Sequence, residues 1–408
     1  MRPGAFIIFS ILLSVPISAQ NRDSYLKELY DGHHWFALRK EASGPDTPPF
    51  YKAAVQTAFN DPLAEKSLTT LISSTGGAEE RFEARELLIG IYFRTGRYRE
   101  ASAEAQAMIG ERPDAADVKN FMPTLEVLRT YPDQAVTSRH PRQVNIDFED
   151  GNIVLPVRVN GVSANYIFDN GFSTSGMSEA EARRLGLQVR EVTTTLDTMN
   201  GTAVKIRIAV AGSLDVGGVR LSNVAFYVLP DGQPPFNSLR PGRQGILGLP
   251  VILAMQRFSW DTEKHTFTIL TSQLSGASEP INMALDGTSV FAQVIFHQEP
   301  VDFSLDTGAQ KTVLYPAFDR AFPTLKSSGS SETHRLTGVG GSSAVDSLSL
   351  SSLTLNVGHK DVVLSPAHLL LKNNNSTSSW FAGNLSMDLL NQGRTVTIDF
   401  NQMSLSLQ

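Results

Sequence analysis

A short unit occurs twice in this chain, and the repetition limits the fold more than any other feature. The first copy runs through Ile153-Val154-Leu155-Pro156-Val157-Arg158-Val159, turns at Asn160-Gly161, and returns through Ala164 to Phe168 into Asp169-Asn170-Gly171. The second runs from Ser289 to Phe296, turns near His297-Gln298, and returns through Val301 to Leu305 into Asp306-Thr307-Gly308. Apolar residues alternate with a period of two, which marks each copy as strand, turn, strand. Asp169 and Asp306 fall at the same point of the unit. Each sits on a tight turn at a strand end, where a side chain is held rigidly and still reaches a cleft.

Further landmarks follow in the same order in both copies. A glycine turn between extended runs comes next, at Asn200-Gly201 and again at Thr337-Gly338-Val339-Gly340-Gly341. Asn-Gly between two such runs is a strong hairpin signal. Then come strands with glycine (Leu214 to Val219; Leu348 to Gly358) and an apolar-apolar-glycine element (Ile246-Leu247-Gly248; Phe381-Ala382-Gly383). A brief apolar stretch and a closing hairpin end each copy, Phe258 to Ile269 in the first and Val396 to Leu407 in the second. This order predicts two homologous all-β lobes, 143–272 and 280–408, joined by the polar segment Ser272 to Pro280.

A single carboxylate on a strand-end turn is ordinarily structural, because Asp caps backbone amides there. The pair reads differently. Lobes packed about an approximate two-fold axis through these turns bring Asp169 and Asp306 face to face. Two carboxyls so placed hold one proton between them and titrate as a unit. One acts as general base on a bridging water and the other donates to a substrate carbonyl, which is peptide hydrolysis without a covalent intermediate or a metal. The residue after each acid must hydrogen-bond across to the other turn, and a glycine must allow close approach. Thr307 and Gly308 meet those demands in the second lobe; Asn170 and Gly171 hold the places in the first. The same acid pair would be the candidate for glycoside hydrolysis, but no aromatic sugar platform accompanies it.

These residues resemble the retropepsin-like and pepsin-like aspartic proteases, and most closely exported bacterial members with two retropepsin-sized lobes in one chain. Leu305-Asp306-Thr307-Gly308-Ala309, the flap-like Gly338 to Gly341, Phe381-Ala382-Gly383 and the final hairpin carry the resemblance. It implies closed β-barrel lobes of the acid protease fold, catalytic Asp169 and Asp306, and an extended polypeptide in the groove between the lobes. Gly338, Gly340 and Gly341, with Asn200 and Gly201 opposite, would form substrate-covering hairpins. The first lobe departs from the pattern: Asn170 stands where the family has Thr or Ser, and Phe172 replaces a small residue. The competing reading is therefore a catalytically weak or inactive peptide-binding protein that keeps the protease fold.

The rest of the chain frames these lobes, giving a multidomain α plus all-β molecule. Residues 22–130 carry helical periodicity, clearest from Glu79 to Pro113, where Leu88, Tyr92, Gly96, Tyr98, Ala101 and Pro113 resemble one tetratricopeptide repeat. Such a region packs first and docks a protein partner second. Residues 131–142, with two prolines and no periodicity, read as a linker. Arg2, an apolar core from Ala5 to Val15, and Ile17-Ser18-Ala19 read as an export signal over residues 1–19, leaving a periplasmic or secreted product without a membrane span.

The chain has no cysteine. That removes disulfides, thiolate metal sites and a cysteine nucleophile. Asn374, Asn375 and Asn384 each begin an N-x-S/T sequence. A net charge of -6 points to neither nucleic acid nor an anionic membrane. Gly338 to Gly341 lacks the Lys-Ser/Thr of a phosphate loop. His33-His34 and His265, His297, His334, His359 and His368 share no ligand spacing, so the sequence nominates no metal and no cofactor.

Overall fold

A computed structural model describes residues 19–74, 76–149, 151–197, 203–271, 280–373 and 379–408. Most of residues 1–19, expected to be an export signal, the expected hairpin turn at Asn200-Gly201, most of the expected inter-lobe segment Ser272 to Pro280, and Asn374 and Asn375 lie outside the described residues. Among the described residues no helix is long and apolar enough to cross a membrane.

The N-terminal region is helical, from Ala19–Asp31 to Ala116–Leu128. Its centre is the pair Ala78–Arg94 and Tyr98–Glu111. Leu88 and Tyr92 on the first and Ala101, Ala105 and Met108 on the second are buried, as a 3.6-residue period requires. Gly96, with φ +75°, ends the first helix in the left-handed conformation that glycine adopts without a Cβ penalty.

The first lobe is one sheet whose ladders return on themselves. Val219–Leu229 pairs with Ser175–Ser178, then come Gly245–Leu247, Val162–Phe168, Asn152–Val159 and Ala203–Val216, and the last pairs back on Val219–Leu229. The second lobe repeats the arrangement, but its path stays open. Where the first lobe has one long ladder, the second has two, Gly341–Leu350 with Ala367–Leu370 and Leu353–Val357 with Lys360–Leu364. The break falls at Ser351-Ser352 and Ser365-Pro366, and Pro366 has no N–H to continue a ladder. Two closed barrels are thus not what the hydrogen bonds describe.

A shared five-stranded sheet ties the lobes together. The closing hairpins lie side by side, with Phe258 opposite Ile398, Ser259 opposite Thr397 and Trp260 opposite Val396. Gln143–Asn145 extends this sheet along Thr266–Ile269. The 131–142 segment is more than a linker: Ala135–Arg139 is a strand on Val219–Leu229. It pairs through its backbone while its side chains stay largely exposed, so alternation of apolar residues never marked it.

Candidate active site

Each acid sits where a strand leaves its sheet. In the first lobe Val162–Phe168 runs parallel to Gly245–Leu247, and the Asp169 N–H donates to the Leu247 carbonyl at 3.0 Å. In the second, Glu299–Leu305 runs parallel to Gly383–Leu385, and the Asp306 N–H donates to the Leu385 carbonyl at 3.0 Å. The same bond in both lobes fixes the two loops alike. It also corrects one landmark. Gly245-Ile246-Leu247 corresponds to Gly383-Asn384-Leu385, so Phe381-Ala382-Gly383 is not the counterpart of Ile246-Leu247-Gly248.

The loops meet in one chain, and the residues after the acids brace them. The Asn170 N–H donates to Thr307 Oγ1 at 3.0 Å, and the Thr307 N–H donates to Asn170 Oδ1 at 2.7 Å. The Thr307 hydroxyl donates to the same Oδ1 at 3.1 Å. Both residues are almost fully buried, so these bonds face no competition from water. Asn170 therefore supplies the acceptor that a hydroxyl would have supplied. Its Nδ2 finds no acceptor among the described residues. The glycines then bring the loops into contact. A Cβ on Gly171 would lie 2.7 Å from Asp306 Oδ1, and one on Gly308 would lie 2.1 Å from the Asp169 carboxyl carbon. Phe172 fits because Gly176 leaves room: a Cβ there would meet its ring at 2.9 Å.

Each acid lies against the glycine of the opposite loop, so the two carboxyls act on each other, and they are not equivalent. Burial, reinforced by the Asp306 charge, raises Asp169 well above the usual carboxylate range. The Gly171 and Phe172 N–H groups oppose that rise, and Oδ1 accepts from Gly171 at 2.9 Å. Burial raises Asp306 as well, but the Asn384 amide and two backbone N–H groups oppose it. Asp306 Oδ1 accepts from Gly308 at 2.9 Å and Ala309 at 3.0 Å, and Oδ2 accepts from Asn384 Nδ2 at 3.3 Å. Asp306 has the Asn384 amide in addition to two backbone donors, whereas Asp169 has two backbone donors alone, so the anion is better supported at Asp306 and the shared proton is favoured on Asp169.

The pair lies beside a cleft of about 590 Å³ walled by both lobes. Ile167 and Ile246 line one side and Val313 the other, with Asp169 and Gly308 between them. The hairpin Ser330–Gly338 and Gly341–Leu350 covers it, contributing Leu336, Thr337, Gly338 and Val339. Gly338 pairs with Gly341, and Gly340 and Gly341 turn the chain at φ +93° and +117°. Asp169, Asn170, Gly171, Asp306, Thr307 and Gly308 thus come together, and Gly338 joins the cleft wall. Gly340 and Gly341 shape the turn.

Three features escaped the sequence reading. Asn384 begins an N-x-S sequence, yet it is a buried strand residue held by the Ser304 hydroxyl at 2.6 Å, with its Nδ2 donating to Asp306. Asn152 bridges the lobes by donating to the Gly308 carbonyl at 2.7 Å. His334 and His368, expected to be unrelated, lie with Glu332 in one group. Only the alternation of Glu332 and His334 on one strand face was available as a signal.

Residues 155–251 match a family model described as aspartyl protease. The matched segment contains Asp169-Asn170-Gly171 and the strand Gly245–Leu247 beside it, so the match falls on the lobe with the altered motif. No curated protein matches the chain. Among solved structures, a retropepsin-like aspartic protease from Rickettsia conorii is similar at 22% identity, with 34% of this chain and 95% of that one covered and a TM-score of 0.24. The retroviral protease-like domain of Ddi1 from Leishmania major is similar at 21% identity, with 26% and 79% covered and a TM-score of 0.18. By its family match, the first lobe has an aspartyl-protease fold.

Proposed function

We propose that this protein is an aspartic-type endopeptidase that hydrolyses an extended polypeptide lying in the cleft beneath the hairpin. One observation carries the reading: the mutually braced loops set Asp169 and Asp306 side by side, with unequal hydrogen-bond support. Asp306, as the anion, takes a proton from a water held between the acids. Asp169 gives its proton to the carbonyl oxygen of the scissile bond, and a tetrahedral intermediate forms without covalent attachment to the protein. Collapse of that intermediate returns a proton to the leaving amine. Apolar cleft residues such as Ile167, Ile246, Val313 and Leu336 suit apolar side chains flanking the cut.

The test is cleavage of a peptide library by the full chain from acidic to neutral pH, with wild type beside Asp306→Asn. Product from wild type and its near-complete loss in the variant is expected. Equal product from both sinks the proposal. The competing reading, a non-catalytic peptide binder, drew its motive from Asn170. That residue makes the bracing bonds, so peptide binding without cleavage by wild type stands only as the outcome that would revive it.

A further inference from the structure

The hairpin over the cleft carries, at its base, a group of side chains with no part in the proposed hydrolysis. Glu332 and His334 lie two residues apart on the strand Ser330–Gly338, so both point to one face. His368 comes from the strand Ala367–Leu370, two places away in the same sheet, with Gly341–Leu350 between. The three donor atoms all lie within 4.8 Å of one another. His368 Nδ1 and Glu332 Oε1 are in direct contact at 2.5 Å, and the His334 and His368 rings are 4.3 Å apart. The fully buried Ser347, on the intervening strand, donates its hydroxyl to Glu332 Oε1 at 3.2 Å.

We propose that Glu332, His334 and His368 form a binding site for a divalent transition metal, zinc by preference, that ties the cleft-covering hairpin to the body of the second lobe. Two imidazoles and a carboxylate are a donor set for zinc, which takes nitrogen and oxygen at about 2.0–2.2 Å. Tetrahedral geometry at such bond lengths places donors about 3.3 Å apart, so the His368–Glu332 contact must open by somewhat under 1 Å while the His334 ring adjusts to complete the set. The proton between His368 and Glu332 leaves, and the metal takes its place. Ser347 orients the carboxylate from behind, as outer partners of metal ligands do. His334 lines the cleft, so the fourth coordination position is open to water or to a group of the bound peptide. The ligands span strands on both sides of the hairpin's return strand, so occupancy stiffens the hairpin at its root. This site stands independently of whether the dyad cleaves peptides.

The experiment is a calorimetric titration of the metal-free full chain with Zn²⁺, paired with hydrogen exchange over residues 330–350. Wild type should bind one Zn²⁺ per chain, and exchange in the hairpin should slow on binding. His334→Ala and His368→Ala should each weaken binding by more than a hundredfold and abolish the slowing, while Ser347→Ala should weaken it about tenfold. His297→Ala, on an exposed turn outside the group, should bind as wild type does. Should an alanine variant unfold, Glu332→Gln keeps the shape of the side chain and carries the same expectation. Absence of a wild-type binding event, or retained affinity in the folded ligand variants, overturns the proposal.

Discussion

Asn170 is the residue on which the two readings of the sequence divided, and its geometry gives a direct test. Its Oδ1 accepts the buried Thr307 N–H, with no other acceptor for it among the described residues, and also accepts the Thr307 hydroxyl. Asn170→Ala leaves that N–H unpaired in the interior and should cost about 2 kcal/mol of stability in urea denaturation. Asn170→Thr restores a hydroxyl and removes the unpartnered Nδ2, so its midpoint should equal or exceed that of wild type; a loss as large as that of Asn170→Ala would show that the amide shape itself is needed. Asp169 supplies a second prediction. Its ordinary value is near 3.8 and the folded protein raises it, so between those two values the native state holds more protons than the unfolded one. Stability from this group is therefore present at low pH and lost as pH rises through the folded value. Asp169→Asn cannot ionise, so it should match wild type near pH 3 and be more stable at neutral pH. A midpoint difference that does not grow with pH would contradict the assignment of the proton. These acids were legible because the motif is local. Asn384 was not, because its partner lies far away in sequence and the apolar-apolar-glycine pattern does not give the register of its strand.

Elements were legible where one face is buried and the other wet, as in Ser289–Phe296 and Glu299–Leu305, whose burial alternates along part of their length. The edge strand Ala135–Arg139 has mostly exposed side chains and left no such trace. The cleft-covering hairpin shows a further limit: its turn was readable from glycines, but its grouping of Glu332 and His334 with His368 depends on strand order. Its turn also makes a prediction. Gly340 holds φ +93°, and any L side chain there is strained. Gly340→Ala should cost the closed hairpin about 1 kcal/mol, raising KM for a cleaved peptide roughly fivefold. Because the hairpin holds substrate and transition state alike, kcat should change little. A fall in kcat at constant KM would mean the hairpin acts on the chemistry instead.

At the scale of the whole molecule, the division into helical region and two lobes could be read from texture alone, but how the parts adhere could not. The helical layer is built into the lobes. Leu88 and Phe93 of the helices share one apolar cluster with Val154, Phe291 and Phe381 of the lobes. His33 contacts the Asp286 carboxylate and stacks on Trp380 with ring centroids 3.6 Å apart. The buried Arg94 donates to the Thr57 carbonyl at 2.8 Å, burial lowers its pKa to about 10, and Asn60 reaches the Phe400 carbonyl at 3.0 Å. A layer so joined cannot open without exposing lobe core, and the shared five-stranded sheet binds the lobes in the same way. The chain should therefore unfold as one unit. Far-UV dichroism, dominated by the helices, and fluorescence from Trp260 in the shared sheet, isolated by Trp35→Phe and Trp380→Phe, should report coincident urea transitions. His33→Ala should lower the common midpoint without separating the two signals. A helical signal that melts first, leaving the Trp260 signal native, would instead make the helical region an independent module, and its surface would then be free for a partner.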